Sequence, residues 1–216
     1  MIARRTVIAG IEIPDSRIAA EATELVRDTS TSLLFHHARR VFLWGSLYAR
    51  QSGLDYDPEL FYVGALFHDL GLVEGDHRSE AERFEIDGAN AARRFLEGHG
   101  VPEESVMTVW ESIALHTTPQ VPRYKQPEVR LVNWGVEYDI YGRHFDELAA
   151  AQRDDVIAAH PRPGFKDGVL EALSGVLRDK PETAFLTWQA DLLAAARPDY
   201  ERASFCDVVR RSPFAS

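Results

Sequence analysis

Apolar residues in this chain recur every three to four positions from residue 17 to residue 211, the spacing of amphipathic helices. No set of alternating segments able to build a sheet accompanies them, and only residues 5–13 read as extended. Helix boundaries are signalled locally. Asp15-Ser16 offers a cap for a helix over 17–28, and Thr29 to Ser32 cap one running through HHARRVFLWGSLYARQ to Gly53. Asp57-Pro58 opens a helix that ends at His68-Asp69 and stops near Gly71. The stretch 71–86 is polar and poorly periodic, which predicts a loop. Asp87 then caps a helix ended by Gly98 and Gly100. Pro102-Glu103-Glu104 begins a helix reaching His116, three prolines make 117–127 irregular, and EVRLVNWGVEYDIYG is a buried helix closed by Gly142. Further helices are predicted over about 146–159, 165–179, 182–196 and 204–211. The expected fold class is all-α: a single-domain helical bundle over 1–216.

Within such a bundle, the pair His68-Asp69 is the most demanding feature. It closes the apolar run FYVGALF, and a carboxylate beside an imidazole in that setting needs a partner, because burying an unpaired charge is costly. Adjacent helical residues point about 100° apart, so both can reach one ion only from the helix end. His37 lies on a helix with apolar Leu33, Leu34, Val41 and Phe42, and Asp139 on one with apolar Leu131, Val132, Val136 and Ile140. Each alone would read as a hydrogen-bonded interior residue. Together they could complete a shell of two imidazoles and two carboxylates, a donor set suited to one divalent ion. Zn²⁺ is the first choice, with Fe, Mn, Co or Ni as alternatives.

Composition narrows the setting. With 216 residues, 45% hydrophobic and 27% charged, the chain has the make-up of a soluble globular protein, and its formal charge of −10 argues against nucleic acid or anionic membranes as partners. The single Cys206 excludes an internal disulfide, fits a reducing compartment, and reads as inert filling. The segment MIARRTVIAGIEIP is loosely like a signal peptide, but Glu12 and Pro14 interrupt it, and no stretch is long enough to span a membrane. A cytoplasmic location is expected, with a small-molecule substrate as the partner and the helices after 145 as a surface for a homodimer.

FHHARRVF, GALFHDLG, a helix ending ALHTT, and GVEYDIYG occur in that order, and in this the chain resembles the HD-domain superfamily of metal-dependent hydrolases over about residues 30–145. The resemblance implies His37, His68, Asp69 and Asp139 as metal ligands, with His37 preferred to His36 because it stands three residues before Arg40. FEIDGANAARRFL, ESIALHTT, PRPGFKDG and DYERASFCDVVRRSPF are similar to segments of its cyanamide-hydratase-like branch. That implies a metal-activated water acting on a small uncharged C–N substrate such as cyanamide or a nitrile. One alternative is a phosphohydrolase acting on a nucleotide or other phosphate ester. A second is a non-catalytic module that the metal stabilises.

Phosphate chemistry needs cations at the site. Arg123 and Lys125, close after His116, are candidates for the pocket border, with Lys166 in GFKDG a further one, whereas Arg39 and Arg40 read as solvated helix residues. His116 is proposed as a substrate contact or proton donor, Asp69 as the other catalytic residue, and His77 as a lid or substrate-binding residue or a ligand of a second metal. Glu74 and Asp76 are weaker candidates for a base. Glu74, Asp76, Glu80, Glu82 and Glu85 make the 71–86 loop acidic, which would discourage a polyanion and favours the neutral substrate.

Overall fold

The protein is described by a computed structural model covering residues 6–214. An antiparallel hairpin, β1 (Val7–Ile8) and β2 (Ile11–Glu12), turns at Ala9 and Gly10, both with positive φ. The part of the leader-like segment at residues 1–5 lies outside the described residues. Helices follow: α1 (Arg17–Thr29), α2 (Ser32–Ser52), α3 (Pro58–Phe67), α4 (Phe84–Gly98) and α5 (Glu103–Ala114), then α6 (Pro127–Tyr141), α7 (Ala150–Ala159), α8 (Phe165–Asp179), α9 (Gln189–Ala196) and α10 (Phe205–Arg210). The fold is all-α. No described helix is long and apolar enough to cross a membrane.

The expected caps form. Ser16 Oγ accepts from Ala19 N–H at 3.0 Å, and Thr31 Oγ1 from Leu34 N–H at 3.3 Å. Asp57 Oδ1 accepts from the N–H groups of Glu59 and Leu60, satisfying two otherwise unpaired donors ahead of Pro58. Gly53 and Gly142 close α2 and α6 in the left-handed region.

Three boundaries differ. α4 starts at Phe84, so Asp87 lies inside the helix; it is buried and accepts from Lys180 Nζ at 2.6 Å and Ser79 N–H at 3.0 Å instead of capping. The predicted helix over 182–196 divides into a 3₁₀ turn at Pro181–Ala184 and α9. The one predicted from 146 begins at Ala150, after a 3₁₀ turn at Phe145–Glu147. Cys206 is exposed on α10 rather than buried as filling.

The core is built on α2 packed against α6 and α3, around Phe42, Trp44, Phe61 and Leu131. Two glycines set the closeness of α2 and α6. A Cβ at Gly135 would run into the carbonyl oxygen of Val41, and one at Gly45 would meet the Phe61 ring and the carbonyl oxygen of Leu131. That approach lets a side chain from α2 reach one from α6. Gly135→Ala is therefore expected to lower stability by about 1–3 kcal/mol through overpacking, read as a fall in the thermal unfolding midpoint. A separate apolar cluster of Leu34, Leu72, Phe84 and Val176, with Leu173 and Trp188 against it, seats α8 beside the end of α3.

Candidate metal centre

α3 ends at Phe67, and His68 and Asp69 form the turn that leaves it. Because the helix stops there, both side chains turn toward the same point, where His37 of α2 and His116, just past α5, also arrive. Asp69 Oδ2 lies 3.2 Å from His68 Nε2 and 3.5 Å from His37 Nε2, and Asp69 Oδ1 lies 3.7 Å from His116 Nε2. His37, His68 and Asp69 each offer a ligand atom within 4.8 Å of the others. All four residues are buried.

Each imidazole is oriented through its other nitrogen. His68 Nδ1 donates to the carbonyl of Ala65 at 2.8 Å, His116 Nδ1 to that of Ile113 at 2.6 Å, and His37 Nδ1 to Asp139 Oδ2 at 2.7 Å. With the proton on Nδ1, each Nε2 presents a lone pair toward the Asp69 carboxylate. His68 Nε2 is buried and makes no hydrogen bond. Lone pairs crowded around an anionic carboxylate repel unless a cation lies among them, and the nitrogens of His37 and His68 with an oxygen of Asp69 suit a divalent ion. Holding Nδ1 against a carbonyl or carboxylate is also how metal-binding histidines are fixed.

The charges agree with this. Burial, then the neighbouring His68, push His116 down to about 4, so it is neutral at physiological pH. Burial likewise lowers His37. For His68, burial is outweighed by the Asp69 carboxylate and the Ala65 carbonyl, and its pKa rises. Burial would raise Asp69, but His68, His37 and His116 hold it well below the carboxylate range.

Asp139 is placed differently from the sequence expectation. It stands behind His37, on the Nδ1 side, away from the atoms that face Asp69. Its oxygens accept from Arg40 Nε and Nη2 at 2.9 Å each, Trp44 Nε1 at 2.8 Å and Arg162 Nη1 at 2.5 Å, besides His37. So occupied, it holds His37 in place and pairs with Arg40 and Arg162. Arg40 is wholly buried and Arg39 nearly so, which corrects their reading as solvated residues. His37, Arg40 and Trp44 share one face of α2, a spacing visible in the sequence, but the acceptor they share comes from α6.

A cavity of about 270 Å³ opens onto Asp69, His37 and His116. Thr117, Phe84 and residues of α6, α8 and α9 complete its lining, and among the described residues no lysine or arginine contributes to it. Arg123 and Lys125 lie elsewhere: Arg123 donates to the Tyr124 hydroxyl, and Lys125 pairs with Glu111 at 2.8 Å. His77 is turned to the Leu70 carbonyl at 2.9 Å, outside the cavity. Lys166 is exposed beside a groove on the far side of Asp139. Glu74, Asp76, Glu80 and Glu82 are exposed, but Glu85 is buried in α4, where its Oε1 accepts from Thr117 Oγ1 at 2.6 Å and Gln189 Nε2 at 3.0 Å. His160 is buried, its Nδ1 3.1 Å from that of His36. Nothing local in the sequence marks Glu85, Arg162 or the α8 and α9 wall, since each acts through a distant contact.

Imidazoles and a carboxylate converging inside a helical frame define a metal-binding class of protein. The HD domain family model matches residues 34–150, more than half of the chain, and the chain belongs to that family, whose members are generally metal-dependent hydrolases. No curated protein matches the chain.

Proposed function

We propose that this protein is a metal-dependent hydrolase or hydratase acting on an uncharged C–N substrate, in the manner of the cyanamide-hydratase-like branch. The observation that carries the reading is the polar part of the cavity. Around Asp69 it presents acceptors: that carboxylate, the His116 Nε2 lone pair, and Thr117 Oγ1, whose own proton goes to Glu85. A phosphate ester needs donors and cations at that place, and the described lining has no lysine or arginine. A neutral nitrogen head with N–H groups, or a polarised C≡N carbon, suits acceptors.

His37, His68 and Asp69 would hold a divalent ion, Zn²⁺ by its liking for nitrogen donors with one carboxylate. Bound there, it supplies a Lewis acid that polarises the substrate and acidifies water. The protein's own groups do the rest. His116, neutral at physiological pH, can take a proton on Nε2 and return it to the substrate nitrogen. Thr117 orients an N–H group, and the apolar walls keep out bulk water.

Metal-loaded protein should convert cyanamide or simple nitriles to urea or amides. Phosphate release from nucleotides with Mn²⁺, Co²⁺ or Mg²⁺ should stay at background. Efficient phosphate release with no C–N turnover would establish the phosphohydrolase instead.

A further inference from the structure

The cavity is too large and too greasy for cyanamide alone. An engineered apolar cavity of about 150 Å³ is enough to hold benzene, and this one encloses about 270 Å³. Its polar groups sit together, since Asp69 lies within 3.5 Å of His37 and 3.7 Å of His116, and Thr117 follows His116 in the chain. Apart from Asp191, the Tyr141 hydroxyl and the indole N–H of Trp188, which has no hydrogen-bond partner, the remaining lining is hydrophobic. Much of that wall comes from Leu170 and Leu173 of α8, Trp188, and Leu192 of α9, all beyond residues 34–150 that match the family. Leu170 remains 48% exposed, so apolar surface is left uncovered where the cavity meets solvent. Asp191 pairs with Arg202, so its charge is already matched.

Resting on the C–N reading above, we propose that the substrate is elongated. A compact uncharged nitrogen head, a nitrile or primary amide, reaches Asp69, His116 and Thr117, and an alkyl or aryl body lies against Leu173, Trp188 and Leu192. The metal-binding half of the chain then sets the reaction, and α8 and α9 set which molecule undergoes it. For a nitrile, the oxygen of water bonds to the nitrile carbon as one C–N π bond breaks and a proton reaches nitrogen by way of His116; the resulting imidic acid then passes its O–H proton to nitrogen, exchanging the second C–N π bond for the C=O of the amide.

Two measurements test this. The first follows kcat/KM of metal-loaded protein over cyanamide and unbranched nitriles of increasing length. The second follows, by calorimetry on the unaltered protein, the binding of primary amides from acetamide to hexanamide. Each added methylene should raise both kcat/KM and affinity about fourfold until the cavity is full, from the burial of one CH₂ group. Leu173→Trp, which fills the apolar part, should reduce the preference for long over short nitriles to about one. Turnover of cyanamide and short nitriles with no gain from chain length, in rate or in binding, would overturn the elongated substrate and leave the C–N chemistry standing. Amide affinity that climbs with length, without turnover of any nitrile, would uphold the apolar pocket and overturn the C–N chemistry. Tighter binding of phosphate monoesters than of hexanamide, or no binding and no turnover in either series, would overturn the proposal.

Discussion

Asp139→Ala is expected to destabilise the protein by about 3–5 kcal/mol, the cost of leaving a buried charge without its partner. Arg40 is wholly buried, and Asp139 is the carboxylate that receives its Nε and Nη2. Removing it strands Arg40 and takes acceptors from Trp44 Nε1, Arg162 and His37 Nδ1 as well. For a domain of this size the unfolding midpoint should drop by about 6–20 °C. The loss should depend on pH in a definite direction. Burial would raise the Asp139 carboxyl, but His37 and Arg40 outweigh it and hold its pKa well below the ordinary range. A carboxylate depressed in the folded state contributes stability above its unfolded pKa of about 3.9, and that contribution disappears as pH falls further toward the folded value. The midpoint of the unaltered protein should therefore decline below about pH 4, more steeply than that of Asp139→Ala. Metal affinity should weaken about 10- to 100-fold, as for loss of a residue behind a ligand. Complete loss of metal from a folded Asp139→Asn would instead place this carboxylate among the ligands.

Asp69→Ala carries the largest functional effect. Asp69 is the group on which His37, His68 and His116 converge, within 3.2–3.7 Å. Without it the three nitrogens lose their anionic partner, and a divalent ion loses the charge that offsets its dehydration. Elemental analysis after reloading should fall from about one ion per chain to near zero, and activity should fall by at least about a hundredfold. Metal should raise the unfolding midpoint of the unaltered protein, equivalent to about 2.7 kcal/mol at a hundredfold excess over Kd, and leave that of Asp69→Ala unmoved. His68→Ala should behave alike, because its buried Nε2 faces Asp69 and makes no hydrogen bond. Arg123→Ala, outside the cavity, should change neither metal content nor turnover. An Asp69→Ala protein that keeps its metal would remove the site from this position.

Residues that act through near neighbours were legible in the chain. Ser16, Thr31 and Asp57 cap the helices their spacing announces, since a cap bonds an N–H two or three residues on. His68 and Asp69 are adjacent at a helix end, so their convergence follows from where α3 stops, whereas the preference for His37 over His36 comes from the family resemblance. What tertiary structure alone decided depends on which helix faces meet. The glycine-mediated approach of α6 to α2 brings Asp139 against His37 and Arg40, contacts that spacing along the chain does not announce. Asp87 has the composition of a cap, yet it is buried because Lys180, far along the chain, comes to it. Arg123 and Lys125 are near His116 in sequence, but the proline-rich loop turns them outward to Tyr124 and Glu111. The apolar wall consists of ordinary leucines and a tryptophan, and only the seating of α8 and α9 beside Asp69 makes them part of a substrate cavity. Local hydrogen bonding and helical periodicity thus determined the helices and the His68-Asp69 pair. The packing of distant surfaces, to which spacing along the chain is blind, decided what surrounds that pair and therefore what it can bind.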